Sequence, residues 1–415
     1  MPREFDTPFQ FKADTIGTWK RIRHESDGRT RSFTPLELDL GQVTILLARH
    51  FGFCFGVENA VEIAYRAIAD HPNQPLYLLS QMIHNQRVND DLLSKGVKFL
   101  FETDGTAIIP IEEIPSNAVV ILPAFGAPVS LVELIKQRKT TVVLYDATCP
   151  FVEKVWRRAQ ELGRRGFAVV IHGKHYHEET RATFSHAELT APCIIIRDQA
   201  EARLLGEFIL GNIEEFEIYN FFEGRMSSNF CPSVHLLKFG VVNQTTMLAE
   251  ETKAISAYLR DCLSSRYGED TVADHFADTR DTLCYATSEN QRSIEALLEH
   301  NGDFALVVGG FNSSNTAHLA ALCRKKLRTF HIEEAASLLC SNELVECIPP
   351  NYGVGKSKSE IVTGWLPEKR PLRVLLSAGA STPDSIVDEV ISRLAEIMGV
   401  STVLAEAWNK VLKRH

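Results

Sequence analysis

Nine short apolar runs, each strand-length, alternate with helical patterns from about residue 44 onward: PLYLLS, AVVILPAF, TTVVLYD, FAVVIHG, PCIIIR, KFGVVNQ, FALVVGG, TFHIE and VLLSAG. This alternation constrains the fold more than any other feature, because strand-then-helix repeats build α/β layers with mostly parallel sheets. The runs are continuous and not strictly alternating, so the strands should be covered by helices on both faces. The expected fold class is therefore α/β, a set of small doubly wound units. With 415 residues, 45% of them hydrophobic, the chain can bury a large core divided into about two to four domains or subdomains. No run approaches the roughly 20 apolar residues of a membrane-spanning helix, and a formal net charge of -9 without a Lys/Arg block argues against nucleic acid. We therefore expect neither membrane nor nucleic acid as a partner.

Three cysteines stand at the ends of apolar runs, immediately ahead of helical patterns. They are Cys54 in VTILLARHFGFCFGVENAVEIAYRA, Cys149 in TTVVLYDATCPFVEKVWRRAQEL and Cys284 in DTLCYATSENQRSIEALLEH. A helix start carries partial positive charge, which lowers a thiol pKa and favours the thiolate that attacks electrophiles or ligates soft metal ions. Three such thiols could meet on one ion or cluster. Core packing is the competing reading for a cysteine, and it is the one we assign to Cys193, Cys262, Cys323 and Cys340 inside apolar or helical stretches. Cys231 and Cys347 stay unassigned. No CxxC occurs, and separations on the order of a hundred residues exclude a compact zinc finger or bacterial ferredoxin run. The odd number of cysteines, nine, without a signal peptide fits a reducing compartment, the cytoplasm, with a plastid stroma as the lesser alternative.

The three strand–cysteine–helix passages suggest an internal architectural repeat. Boundaries are expected near the cysteines: one unit over 55–149, a second over 150–283 with an insertion near 211–239 read as a surface loop, and a third over 284–391 that includes strand 44–53. Residues 392–415 form a C-terminal tail. Residues 1–43, with seven basic and seven acidic side chains, are too acidic for a transit peptide. They read as an extension packed on the surface or on a partner subunit, or as a disordered tail. ECIPPNYGVGKSKSEIVTGW reads as a long irregular connection. Its VGKSKS lacks the first glycine of GxxxxGKS, that position being Pro350, so it is not taken as a nucleotide site.

A second set of strand-to-helix turns is rich in hydroxyls, amides and imidazoles: MIHNQRV, HGKHYHEETRAT, VVNQTTMLAEET, VVGGFNSSNTAHL and LLSAGASTPDSIV. In a parallel α/β unit these turns lie at the carboxyl ends of strands, where ligands bind. Small hydroxyls and backbone amides at helix starts suit a phosphate or diphosphate; each turn alone reads more readily as ordinary helix capping, a reading that five such turns together weaken. In HGKHYHEET, which carries His175, His177, Glu178 and Glu179, a histidine and a glutamate two residues apart could hold an anion and move a proton. Thr245 in NQTTML could relay one. His84 alone could be a core histidine, and Ser381 alone a cap.

Taken in order, FGFCFGVENAV, SQMIHNQRV, PAFGAPVS, DATCPFVEKVW, IHGKHYHEET, NQTTML, CYATSENQ, NSSNT and AGASTPD resemble the 4-hydroxy-3-methylbut-2-enyl diphosphate reductase family, in its plant and cyanobacterial branch. The resemblance runs from about 44 to 391. It implies three α/β units in pseudo-threefold arrangement around a 4Fe-4S cluster held by Cys54, Cys149 and Cys284, with one iron left open for the substrate oxygen. The implied reaction is the reductive dehydroxylation of (E)-4-hydroxy-3-methylbut-2-enyl diphosphate to isopentenyl and dimethylallyl diphosphate, the terminal step of the non-mevalonate isoprenoid route. His84, His177, Asn312, Ser313, Ser314, Asn315 and Ser381 would hold the diphosphate. Glu179, preferred over Glu178 on this resemblance, would lie with Thr245 on the proton path. Phe125 stands where many bacterial members carry a histidine, and Glu178 where other branches carry proline. Without a GxGxxG fingerprint the electrons would come from a one-electron donor such as ferredoxin or flavodoxin, with the enzyme a monomer or homodimer. Two alternatives keep the cluster: a hydro-lyase acting on a small phosphorylated alcohol without net electron transfer, and a non-catalytic iron–sulfur sensor.

Overall fold

The computed structural model describes residues 5–27, 32–137, 142–278, 283–348 and 358–414. In chain order its strands are β1 (Leu36–Asp39), β2 (Val43–Leu47), β3 (Leu76–Leu78), β4 (Lys98–Phe99), β5 (Val119–Leu122), β6 (Val143–Asp146), β7 (Ala168–His172) and β8 (Cys193–Ile196). They continue with β9 (Phe239–Asn243), β10 (Phe276–Ala277), β11 (Phe304–Val308), β12 (Thr329–Ile332), β13 (Glu343–Ile348), β14 (Lys358–Thr363) and β15 (Leu372–Ala378). All nine apolar runs contain a strand, and the pairing is parallel throughout except β1 with β2 and β13 with β14.

The chain divides into two compact units. The first comprises Met1–Glu58, His84–Val88 and Tyr285–His415. Its main sheet has the order β1-β2-β15-β11-β12. Period-two alternation sends Ile45, Leu47, Leu306, Val308, Val374 and Leu376 to one face, where they pack with Ile386, Val390 and Leu394 of the helix Asp384–Ile397. The intervening Leu46, Ala305, Val307 and Leu375 pack on the other face with Ile294, Leu297, Leu319 and Cys323. Both faces are thus dry, each buried Leu, Ile or Val contributing on the order of 1.5–3 kcal/mol, which is why these strands carry no polar alternation.

Ahead of residue 43, β1 pairs with β2, while Phe11, Ile16 and Trp19 are buried. After residue 391, Trp408 and Val411 of the helix Ser401–Arg414 join the same core. The connection read as irregular is in its described part a hairpin, β13 against β14, with Leu344 paired to Val362. Backbone pairing holds β14, whose side chains are mostly exposed, so no apolar run advertised it. Pro350 and most of VGKSKS lie outside the described residues.

The second unit, Asn59–Ile83 and Asn89–Cys284, holds two parallel sheets, β4-β3-β5-β6 and β10-β9-β7-β8. In the latter, Ala168, Val170 and Val241 face one apolar cluster and Val169, Ile171 and Val242 the other. The expected surface loop at 211–239 is instead built of two short helices, Glu215–Phe221 and Pro232–His235. Its Ile218, Phe222, Phe230 and Leu236 are buried in the core; the first two are four residues apart on one face, a short signal hidden among the exposed Phe216, Tyr219 and Phe221. Among the described residues no helix is long and apolar enough to cross a membrane.

Candidate active site

Each of the three thiols sits immediately before a helix, as the sequence pattern requires: Cys54 before Phe55–Asp70, Cys149 as N-cap of Pro150–Arg164, and Cys284 before Tyr285–Leu297. All nine cysteines are thiols outside any disulfide. Cys193, Cys262 and Cys323 are buried as expected, whereas Cys340 is exposed and not a core residue. It lies just ahead of β13, where its carbonyl accepts the indole N–H of Trp365 at 2.9 Å. Cys347, unassigned from sequence, is buried.

The second unit contains Glu179, Thr245 and two of the three thiols, Cys149 and Cys284. Glu179 is 2% exposed, in the first turn of the helix Glu178–Glu188 after β7. Its carboxylate accepts the Thr245 backbone N–H at 2.5 Å and the Thr245 hydroxyl at 3.0 Å. Burial pushes the Glu179 carboxyl up to about 7, against the pull of those two Thr245 hydrogen bonds. The Thr245 carbonyl in turn accepts the backbone N–H of Cys284 at 3.5 Å.

Cys149 hangs from the PAFG turn, its N–H donating to the carbonyl of Ala124 at 2.9 Å. Its thiol is pushed up to about 11, first by burial and also by the neighbouring Cys284 and Glu179, against the backbone N–H groups of Phe151 and Val152. This corrects the expected thiolate: loss of solvation outweighs the helix start. A thiol of this kind is a poor free nucleophile and ionises when a cation replaces its proton.

His177 caps the Glu178–Glu188 helix, its Nδ1 accepting the Glu179 N–H at 3.2 Å, which leaves Nε2 as the donor of a neutral ring. Phe125 meets that imidazole edge-on, with centroids 5.8 Å apart. Glu178, also buried, is held by the Ser80 hydroxyl and pushed up to about 8 by burial. Ser80 was not singled out in the sequence, although it opens the motif SQMIHNQRV.

The first unit carries the NSSNT and GASTPD turns together with His84. Ser313 caps the helix Ser314–Arg324, its Oγ accepting the Thr316 N–H at 3.2 Å. Asn315 Oδ1 accepts the Ala380 N–H at 2.9 Å, Ser381 Oγ donates to the His84 carbonyl at 3.2 Å, and Cys54 N–H donates to the Ala380 carbonyl at 3.2 Å. His84, Ser313, Ser314, Asn315, Ser381 and Cys54 thus belong to one set of joined turns, with Asn312 exposed just ahead of Ser313. Two glycines permit this closeness. A Cβ on Gly310 would lie 2.3 Å from the His84 carbonyl oxygen, and one on Gly379 would lie 2.0 Å from Thr316 Oγ1.

Ser314 Oγ, Asn315 Nδ2 and Thr316 Oγ1 are buried without a hydrogen-bond partner among the described residues. Buried polar atoms are rarely left so in a native protein; three in succession at a helix start mark a cradle for an acceptor-rich group such as a diphosphate. Thr316 was not singled out in the sequence, although its place inside NSSNT was the available signal.

The residues fit the implied cluster by the chemistry of the donor set, three thiols at helix starts, one of them too basic to serve as a free nucleophile. Cys149 and Cys284 lie in one unit and Cys54 in the other, and among the described residues no group of three or more His, Cys, Asp or Glu side chains is gathered closely enough to hold a metal ion.

A profile of the LytB protein family matches residues 45–395. A 4-hydroxy-3-methylbut-2-enyl diphosphate reductase from Prochlorococcus marinus (strain MIT 9515) is 36% identical over 396 residues, 95% of this chain and 94% of that one. One of the same name from Synechococcus sp. (strain RCC307) is 38% identical over 371 residues, 89% of this chain and 88% of that one. Among solved structures, the E-1-hydroxy-2-methyl-but-2-enyl-4-diphosphate reductase of Plasmodium falciparum matches with a TM-score of 0.60 at 18% identity, over 86% of this chain and 88% of that one, a likeness of fold. Matched in this way along most of its length, the chain belongs to the LytB protein family.

Proposed function

We propose that this protein is an oxidoreductase that removes the hydroxyl group of (E)-4-hydroxy-3-methylbut-2-enyl diphosphate, using a 4Fe-4S cluster held by Cys54, Cys149 and Cys284. The substrate takes up two electrons and two protons, its C–O bond breaks, and isopentenyl or dimethylallyl diphosphate and water leave. The cluster, when bound, supplies the electrons received from a one-electron donor such as ferredoxin or flavodoxin, and an open iron that acts as a Lewis acid.

The diphosphate is held by Asn312, Ser313, Ser314, Asn315 and Ser381, with His84 and the Nε2–H of His177. Amide, hydroxyl and imidazole donors satisfy its oxygens without a lysine or arginine clamp. Glu179 is the proton donor. With its proton on Oε2, the 3.0 Å contact to Thr245 reverses, Oε2–H donating to Thr245 Oγ1, and the threonine hydroxyl proton becomes available to the leaving oxygen.

The observation that carries this reading is the buried Glu179 carboxyl, near neutral in its titration and electrostatically coupled to the Cys149 thiol. Glu179→Gln keeps the shape and removes the proton. In an anaerobic assay with reduced one-electron donor its kcat should fall by about 100-fold or more while the cluster's absorption spectrum stays intact. Wild-type turnover should decline as pH rises through about 7, where the carboxyl loses its proton. Full activity of Glu179→Gln, or wild-type turnover that needs no reductant, would sink the proposal.

A further inference from the structure

Residues 5–23 take no part in the reaction above, yet they close on the turn that carries Cys54. Phe5 meets Phe55 edge-on with centroids 4.9 Å apart, Phe11 meets Phe53 at 6.3 Å, and Trp19 stacks on Phe51 at 6.1 Å. Three alternate residues of the FGFCF turn therefore each receive one ring, in reverse chain order, as when two segments run antiparallel. Cys54 lies between the second and third of those rings.

Charge and hydrogen bonding reinforce the contact. Lys20 Nζ stands 4.6 Å over the Phe51 ring and 2.6 Å from Asp384 Oδ1, both side chains less than one-fifth exposed. Asp384 opens the helix that follows Ser381, and Lys20 also acts on Glu58 in the first turn of the helix that follows Cys54. Arg23 donates to the Arg49 carbonyl. The same short segment therefore grips the chain before Cys54, the helix after it, and the helix after the Ser381 turn, to which Cys54 is already tied through Ala380.

We propose that residues 5–23 are a strap that seats the Cys54 turn against the Ser381 turn and shields the Cys54 thiol from solvent-borne reagents, making Phe5, Phe11 and Lys20 positioning residues for a cluster ligand. Shielding is a property of the chain alone; only the words "cluster ligand" rest on the reading of function above. A measurement on cluster-free protein therefore separates failure of the strap from failure of that reading.

The test is timed alkylation by iodoacetamide of the reduced, metal-free full chain, read at each cysteine by mass spectrometry, with Cys149 and Cys284 as internal references. In Phe5→Ala/Phe11→Ala, Cys54 should label about 10-fold faster than in wild type, with the two references within about twofold, as for local opening confined to one turn. Lys20→Met keeps the stem, removes the charge and should accelerate Cys54 about threefold by the same criterion, so the proposal stays testable if the double variant folds poorly. In reconstituted protein the iron–sulfur absorbance should decay several-fold faster in air in both variants. Unchanged labelling of Cys54, or equal acceleration of all three thiols, overturns the proposal.

Discussion

Cys149 stands at the N-cap of a long helix, where the macrodipole alone would draw its thiol below the ordinary value, yet it titrates about two units higher. The helix start is worth about 0.3–1 kcal/mol, while two pKa units correspond to about 3 kcal/mol, so desolvation wins. The same competition sets Glu179, where burial raises the carboxyl and Thr245 pulls it down. Removing the hydroxyl in Thr245→Val leaves the backbone hydrogen bond and one fewer force lowering that pKa. The alkaline limb of the kcat–pH profile should shift upward by roughly 0.5–1 unit, with reduced kcat at its plateau; an unshifted limb would remove Thr245 from control of this proton. At this scale the sequence was informative about types and not about partners. Cys54, Cys149, Cys284 and Glu179 sit in motifs, but Ser80 meets Glu178 across nearly a hundred residues, a contact that no local pattern encodes.

The elements were legible wherever burial produced them. Eight of the nine apolar runs hold a strand buried almost throughout, β6 at the edge of its sheet being the half-exposed exception, and each thiol precedes a helix because an amphipathic pattern follows it. Where less is buried, the signal fades: β14, mostly exposed, is held by pairing with β13, and β1 buries only Leu36 and Leu38 along its four residues. The hydroxyl-rich turns were also visible, but their close approach was not, since glycines at 310 and 379 give no hint of what they touch. Gly379→Ala puts a methyl group 2.0 Å from Thr316 Oγ1 and should cost about 2–4 kcal/mol of stability and raise KM for the diphosphate substrate. Adding Thr316→Ala removes the struck atom and should return part of the stability, measured by urea unfolding. A double variant as unstable as the single one would show that the clash lies elsewhere.

On the scale of the whole molecule, two compact units share one sequence whose formal charge is -9, yet buried carboxyls in each stay protonated well above their ordinary value. Burial lifts Glu58 in the first unit to about 7 and Glu178 and Glu179 in the second to about 8 and about 7, from 4.5, while it lowers His331 in the first and His172 in the second from 6.5 to about 4. From pH 4.5 up to their raised values these three carboxyls bind more protons folded than unfolded, whereas between about pH 4 and 6.5 the two histidines bind fewer. By linkage the two sets oppose one another below pH 6.5; above it the carboxyls alone act, so stability falls as pH rises and levels off above about pH 8. Unfolding of the metal-free protein in urea should show a loss of about 3 kcal/mol between pH 6.5 and 8.5. Glu178→Gln, neutral at every pH, should lose roughly half of that dependence; a profile as steep as wild type would place the titrating group elsewhere.

The three polar atoms left unmatched at Ser314, Asn315 and Thr316 have a consequence for how such a chain can change over time. Each unmatched atom lowers the stability of the ligand-free protein by about 1–3 kcal/mol, so apolar replacement of Ser314 or Thr316 strengthens the empty fold while weakening its hold on an anion, whereas at Asn315 it would also break the hydrogen bond from the Ala380 N–H. Selection for folding and selection for binding pull Ser314 and Thr316 in opposite directions. A turn kept for the proposed diphosphate is thus exposed to loss whenever the demand for that ligand relaxes.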